Sequence, residues 1–288
     1  MLGAMKWSVI AMSNALALAL LLAACGASDE PAVVDASSAS DAGVGAFDAG
    51  ADADLPDAPP FTGDAGPVRR VLFIGNSFTY VADLPGLVRD LAAHTPEGPP
   101  LDTSSEAIGS ATLSTHWFGA APARIAEGWD FVVLQGQSVE PVLSRADFDL
   151  NADRLAGAAR DVGATPVLFD TWARAPGDTF YDVGYVGAGS PDEMQDTLTT
   201  VYSEAATRNM GLLAPAGEAF RIARTTAPDL VIYDGDGSHP APLGSFMTAC
   251  VIYEVIAGHP PARWAPPTFD PDAAARVCAI GHQAVAAL

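Results

Sequence analysis

Two short segments far apart in the chain hold the residue types of an acyl-transfer centre. In "VLFIGNSFTY", residues 71–80, an apolar run ends at Gly75 and Ser77 follows almost at once. A serine at such a strand-to-helix junction carries a backbone N–H beside its own hydroxyl. The group that attacks a carbonyl can then also help hold the oxyanion it creates. A plain helix-capping serine occupies the same kind of junction, so Ser77 alone decides nothing. The second segment is "DGDGSHPAPLG", residues 234–244, where Asp236 and His239 lie three positions apart. Over a tight turn that spacing lets the carboxylate hold one imidazole nitrogen and leaves the other free to take a serine proton. The same segment lacks the glycine and glutamate of a calcium loop.

Such a pair also needs donors aimed at the developing charge. Gly109 in "AIGSATLSTHW" lets backbone approach a substrate closely. Gln135 and Gln137 in "FVVLQGQSVE" point to one face if the strand continues, and either amide can serve. Asn76, His116, Trp172 and Arg174 are further candidates for the substrate pocket, Trp172 because an indole at a strand end can stack on a sugar face. The scattered His94, His259 and His282 have no partners at metal-ligand spacing, and no cofactor is expected. The glycine-rich "VGYVGAGSP", residues 183–191, follows no strand and reads as a loop or lid.

These pieces must be positioned by an alternation of short apolar runs and longer amphipathic segments, the pattern of a parallel sheet flanked by helices. Strands are expected at Val71–Ile74, Thr103–Ile108, Phe131–Leu134, Pro166–Phe169 and Leu212–Pro215. Helices are expected at Leu84–Ala93, Asp147–Val162, Asp192–Arg208, Ala241–Ala257 and Pro271–Ala286. In open α/β sheets functional groups gather beyond the carboxyl ends of the strands, where the candidates fall.

The order of the four pieces resembles the SGNH, or GDSL-type, hydrolase superfamily across residues 68–288. Ser follows strand one, Gly strand two, a polar amide strand three, and D-x-x-H precedes the last helices. The resemblance implies a flavodoxin-like three-layer α/β/α fold around a parallel sheet of about five strands. It implies Ser77 as nucleophile, Asp236 and His239 as the other triad members, and the Ser77 N–H and Gly109 as oxyanion donors. Two positions depart from the common pattern. Asn76 resembles a Gly-Asn-Ser-Phe branch, and Gln-Gly-Gln resembles the Gln-Gly-Glu segment of carbohydrate acetylesterases. That alignment makes Gln135 the third donor, whereas a strict Gly-x-Asn alignment makes it Gln137. The implied activity is a serine esterase acting on a small acyl ester, acetyl on a carbohydrate. An O-acyltransferase and an inactive carbohydrate-binding protein on the same scaffold are the alternatives.

The N-terminus reads as an export signal. Lys6, an apolar run over residues 7–24 and Leu22-Ala23-Ala24-Cys25 resemble a bacterial lipoprotein signal, which implies cleavage after residue 24 and lipidation of Cys25. Residues 25–67 read as a disordered acidic tether to the envelope membrane. The formal charge of −21 divides into −9 from residues 26–67, +1 from Lys6 and −13 from residues 68–288. Neither part has the basic surface a nucleic acid requires. Cys250 and Cys278 remain, as a disulfide in an oxidising envelope or as two buried thiols. Nothing in the pattern specifies an oligomeric state.

Overall fold

The computed structural model describes residues 66–288. The expected signal peptide, Cys25 and nearly all of the tether lie outside these residues. Five parallel strands form one sheet: β1 (Arg69–Gly75), β2 (Leu101–Ala107), β3 (Phe131–Leu134), β4 (Thr165–Phe169) and β5 (Leu212–Ala214), in the order β2-β1-β3-β4-β5. This is the flavodoxin-like order, whose direction of winding reverses between β1 and β3.

Strand β1 shows why the sheet has helices on both faces. Val71 and Phe73 point into one core and Leu72 and Ile74 into the other, and all four are fully buried. In chain order the helices are α1 (Ser77–Tyr80), α2 (Leu84–Ala93), α3 (Leu113–Trp117), α4 (Ala121–Ile125), α5 (Glu140–Leu143), α6 (Arg145–Asp161), α7 (Pro191–Arg208), α8 (Ala216–Thr226), α9 (Pro242–Ala257) and α10 (Pro271–Ala286). Helices α2, α8, α9 and α10 cover the first face, while α3, α4, α6 and α7 cover the second. The three-layer α/β/α architecture is therefore present. Helix α9 is apolar on nearly every side because it is packed between α2, α8 and α10. A disulfide joins its Cys250 to Cys278 of α10, with Cα atoms 5.4 Å apart. No helix among the described residues is long and apolar enough to cross a membrane.

Candidate active site

The turn that carries Ser77 is built from buried polar contacts. At the end of β1, Gly75 has no room for a side chain, since a methyl there would overlap Thr79 Oγ1 and Gln135 Oε1. Asn76 then caps α1: its Oδ1 accepts from Phe78 N–H at 3.1 Å, and its Nδ2 donates to the Ala111 carbonyl at 3.1 Å. These bonds present the partly exposed Ser77 at the carboxyl edge of the sheet, where β1 and β3 part.

The other half comes from the loop between α8 and α9. An antiparallel bridge between Tyr233 and Pro240 closes the loop, and Asp234 N–H donates to the His239 carbonyl at 2.8 Å. Gly237 sits at φ +67°, which turns the chain sharply enough for Asp236 Oδ1 to accept from both Ser238 N–H (2.9 Å) and His239 N–H (2.8 Å). Asp236 Oδ2 lies 2.5 Å from His239 Nδ1. A carboxylate only accepts, so Nδ1 carries a proton, and in the neutral ring Nε2 is then bare. Nε2 in turn lies 2.9 Å from Ser77 Oγ and accepts the serine proton. Burial alone would push the Asp236 carboxyl up. The bonds from the His239 ring and from the Ser238 and His239 N–H groups outweigh it and hold the carboxyl down at about 2.

An aromatic stack joins the two halves from beneath. Trp172 lies face to face with Phe78 (4.5 Å between ring centres) and Phe220 (4.1 Å), and its Nε1 donates to the Ser238 carbonyl at 2.9 Å. The edge of the His239 ring meets Phe78 at 5.6 Å. Trp172 is 1% exposed, which corrects its expected role: the indole is a strut under the site and has no face left for a sugar.

Three other expectations are corrected by burial. Gln135 is wholly buried: its Oε1 accepts from Asn76 N–H (2.9 Å) and Thr79 Oγ1 (3.0 Å), and its Nε2 donates to the Gly136 carbonyl. With no exposed surface this amide does not meet a ligand, and it works as a clamp between β3 and the turn that carries Ser77. His116 does not border the pocket. It is fully buried, with Nε2 donating to the Gly75 carbonyl at 2.7 Å, and burial lowers its pKa so that it stays neutral. Asn76 is likewise 3% exposed and shapes the turn from within.

Gln137 is half-buried and folded back on its own turn, Oε1 accepting from Val139 N–H (2.9 Å) and Nε2 donating to Ser138 Oγ (3.2 Å). Arg174 is paired with Asp178 at 3.5 Å and lies over the Phe180 ring. Its loop braces the Asp236–His239 turn through Ala175 N–H and the Gly237 carbonyl, 2.8 Å apart. Gly109 is exposed on the loop after β2, and neither its N–H nor that of Ser77 has a backbone acceptor among the described residues.

Sequence reasoning missed Phe78, Thr79 and Glu140. The buried Glu140 accepts from Gln137 N–H (3.0 Å) and Leu113 N–H (3.3 Å) through one oxygen, tying the β2 and β3 loops together, and burial raises its pKa. No spacing rule distinguishes such a glutamate from a surface one.

Comparison with known proteins bears on the fold. No family model and no curated protein matches the chain. Among solved structures, a candidate SGNH hydrolase from Slackia heliotrinireducens is 29% identical, with a TM-score of 0.57 over 66% of this chain and all of that one. A DUF4886 family protein from Bacteroides uniformis is 19% identical, with a TM-score of 0.64 over 76% of this chain and 95% of that one. Axe2, an acetylxylan esterase from Geobacillus stearothermophilus, is 17% identical, with a TM-score of 0.50 over 65% of this chain and 94% of that one. The chain thus has the SGNH hydrolase fold and carries, at the edge of its sheet, the arrangement of groups by which a serine ester hydrolase works.

Proposed function

We propose that the protein hydrolyses a small acyl ester, an acetyl group on a carbohydrate, through an acyl-enzyme on Ser77. The observation that carries this reading is the unbroken relay from Ser77 Oγ to His239 Nε2 (2.9 Å) and from His239 Nδ1 to Asp236 (2.5 Å). In the first step Ser77 Oγ bonds to the acyl carbon while its proton passes to His239 Nε2. The carbonyl oxygen becomes negative, facing the N–H groups of Ser77 and Gly109. The tetrahedral adduct then collapses: the ester C–O bond breaks and His239 returns the proton to the departing alcohol. Water enters by the same path, giving its proton to His239 and its oxygen to the acyl carbon, and the acid leaves with Ser77 restored.

The His239 and Asp236 side chains are 37% and 50% exposed, so the site is open on one side. Openness favours an acyl group borne on a bulky carrier such as a glycan, whose alcohol portion stays outside. The acetyl-glycan choice draws on the Gln-Gly segment and on the fold shared with an acetylxylan esterase. The export reading draws on the Leu22–Cys25 segment: the protein is placed in the cell envelope, lipid-anchored through Cys25, with residues 26–67 as spacer.

The test uses the full chain. It should release p-nitrophenol from its acetate ester, and Ser77→Ala should lower that rate about a thousandfold or more, because the triad acts as a unit. Equal turnover by the variant removes the esterase reading. Glycan binding without fluorophosphonate labelling of Ser77 makes the protein a binding module. Acyl transfer to an added sugar, in place of acid release, makes it a transferase.

A further inference from the structure

The reaction proposed above creates a negative oxygen, and the two glutamines of the segment after β3 are both engaged in holding local structure. Gln135 holds its amide inside the core, and Gln137 folds back on its own turn, accepting from Val139 N–H and donating one of its two Nε2 hydrogens to Ser138 Oγ. At the sheet edge the backbone N–H groups of Ser77 and Gly109 have no backbone acceptor among the described residues.

A third group stands within reach of them. Tyr80 is the last residue of α1 and lies three positions after Ser77, so both side chains leave the same side of that single turn. Its hydroxyl reaches across to the β2 loop: a methyl group built on Gly109 would lie 3.2 Å from Tyr80 Oη. The phenol thereby spans from the nucleophile's own turn to the glycine whose N–H faces the oxyanion. Tyr80 is also 49% exposed, so its ring stays open to solvent.

The backbone beyond it is arranged to keep it there. Ala82 and Asp83, neither of them glycine, sit at φ +56° and +51°, a region that costs roughly 1–2 kcal/mol for each such residue. Val81, extended at φ −61° and ψ 132°, ends α1 after one turn, and the left-handed turn at Ala82 and Asp83 then redirects the chain. It also lets Asp83 cap the next helix through Gly86 N–H at 3.2 Å, so that α2 starts on a new axis. The break leaves Tyr80 at the rim instead of in the packed side of a continuous helix.

We propose that the Tyr80 hydroxyl donates the third hydrogen bond to the oxyanion, completing the set formed by the N–H groups of Ser77 and Gly109. The proposal rests on the esterase reading of Ser77 and names a catalytic residue within it. A phenol in this place replaces the amide that the buried clamp consumes.

Tyr80→Phe in the full chain removes one oxygen from a half-exposed ring and leaves the packing in place. For p-nitrophenyl acetate, kcat should fall about 10–100-fold, somewhat less than the loss of a fully enclosed donor, with KM changed less than about twofold. Affinity for a small alkylboronic acid should fall by the same factor, because its tetrahedral adduct on Ser77 puts a hydroxyl where the oxyanion sits. A purely structural role for the phenol would not move those two quantities together. Unchanged kcat and boronate affinity overturn the proposal, as does a change in KM alone or an equal loss in Gln137→Ala with none in Tyr80→Phe. If Tyr80→Phe behaves like the active wild type, only the Tyr80 assignment falls. A wild type that neither turns over the ester nor takes a fluorophosphonate label removes the esterase reading, and this proposal with it.

Discussion

The two halves of the site are held by different physics. Around Ser77 the polar contacts are buried and long-range: Gln135 reaches across 59 residues to Asn76, and His116 across 41 to Gly75. Around His239 they are exposed and local, since Asp236 bonds to Ser238 and His239 within its own turn. A nucleophile must be fixed to a fraction of an ångström against its donors, and buried clamps achieve that at the cost of strict dependence on each partner. An acid–base pair must exchange protons with solvent species, and a short open loop allows it. Trp172 links the two regimes, buried at its rings and bonded to the loop at its nitrogen.

That contrast can be broken by substitutions in each half. Asp236→Asn keeps the shape but leaves His239 Nδ1 facing an amide, which favours the wrong tautomer. The rate should fall by about three to four powers of ten, judged from the serine-protease triad, equivalent to about 4–5 kcal/mol. Melting temperature at pH 7 should move little, because the loop contributes few buried contacts. Gln135→Ala should do the reverse. It strands the buried Asn76 N–H and Thr79 hydroxyl and opens a void, for a loss of about 2–4 kcal/mol. Calorimetry should register this as a drop on the order of 10 °C, with a smaller fall in kcat. A stable Gln135→Ala protein with full activity would show that the clamp is dispensable and that the contrast is one of exposure only.

The sequence disclosed the exposed half better than the buried one. Asp236 and His239 were readable because their geometry is set within four residues. Gln135, His116 and Trp172 are legible as residues near the site but not in their duty, because a buried amide or indole has the same letter as a solvent-facing one. The elements show a similar divide. Strand β3, α2 and α10 fall where the sequence places them, β3 and α2 because their buried positions carry Val and Leu, α10 because Asp270 and Pro271 mark its start and Val277 and Ile280 its buried side. Strand β2 begins at Leu101, two residues before the expected start, because this edge strand is mostly polar and its ends carry no hydropathy signal. Helix α8 is not among the helices named from the sequence. Its buried positions Ala216, Ala219, Phe220 and Ala223 do follow helical spacing, but alanines make that stripe faint against an Ala-rich chain.

The smallest effect concerns protons on the exposed half. The Asp236 carboxyl is held at about 2 in the folded chain, below the ordinary aspartate value of about 3.9. A depressed folded value means that the charged form is favoured by folding. The resulting stability is complete above about pH 4 and is lost as pH falls through about 2. With the side chain half exposed, solvent screening limits the contribution to about 1 kcal/mol or less. Melting curves of wild type and Asp236→Ala should therefore differ slightly at pH 5 and converge near pH 2. The same depression means that Asp236 stays ionised throughout the working range, so any acid limb in kcat/KM above pH 4 belongs to another group. A limb that vanishes in Asp236→Asn, with the residual rate otherwise measurable, would assign it to the carboxylate and contradict the hydrogen-bond count that keeps this group charged.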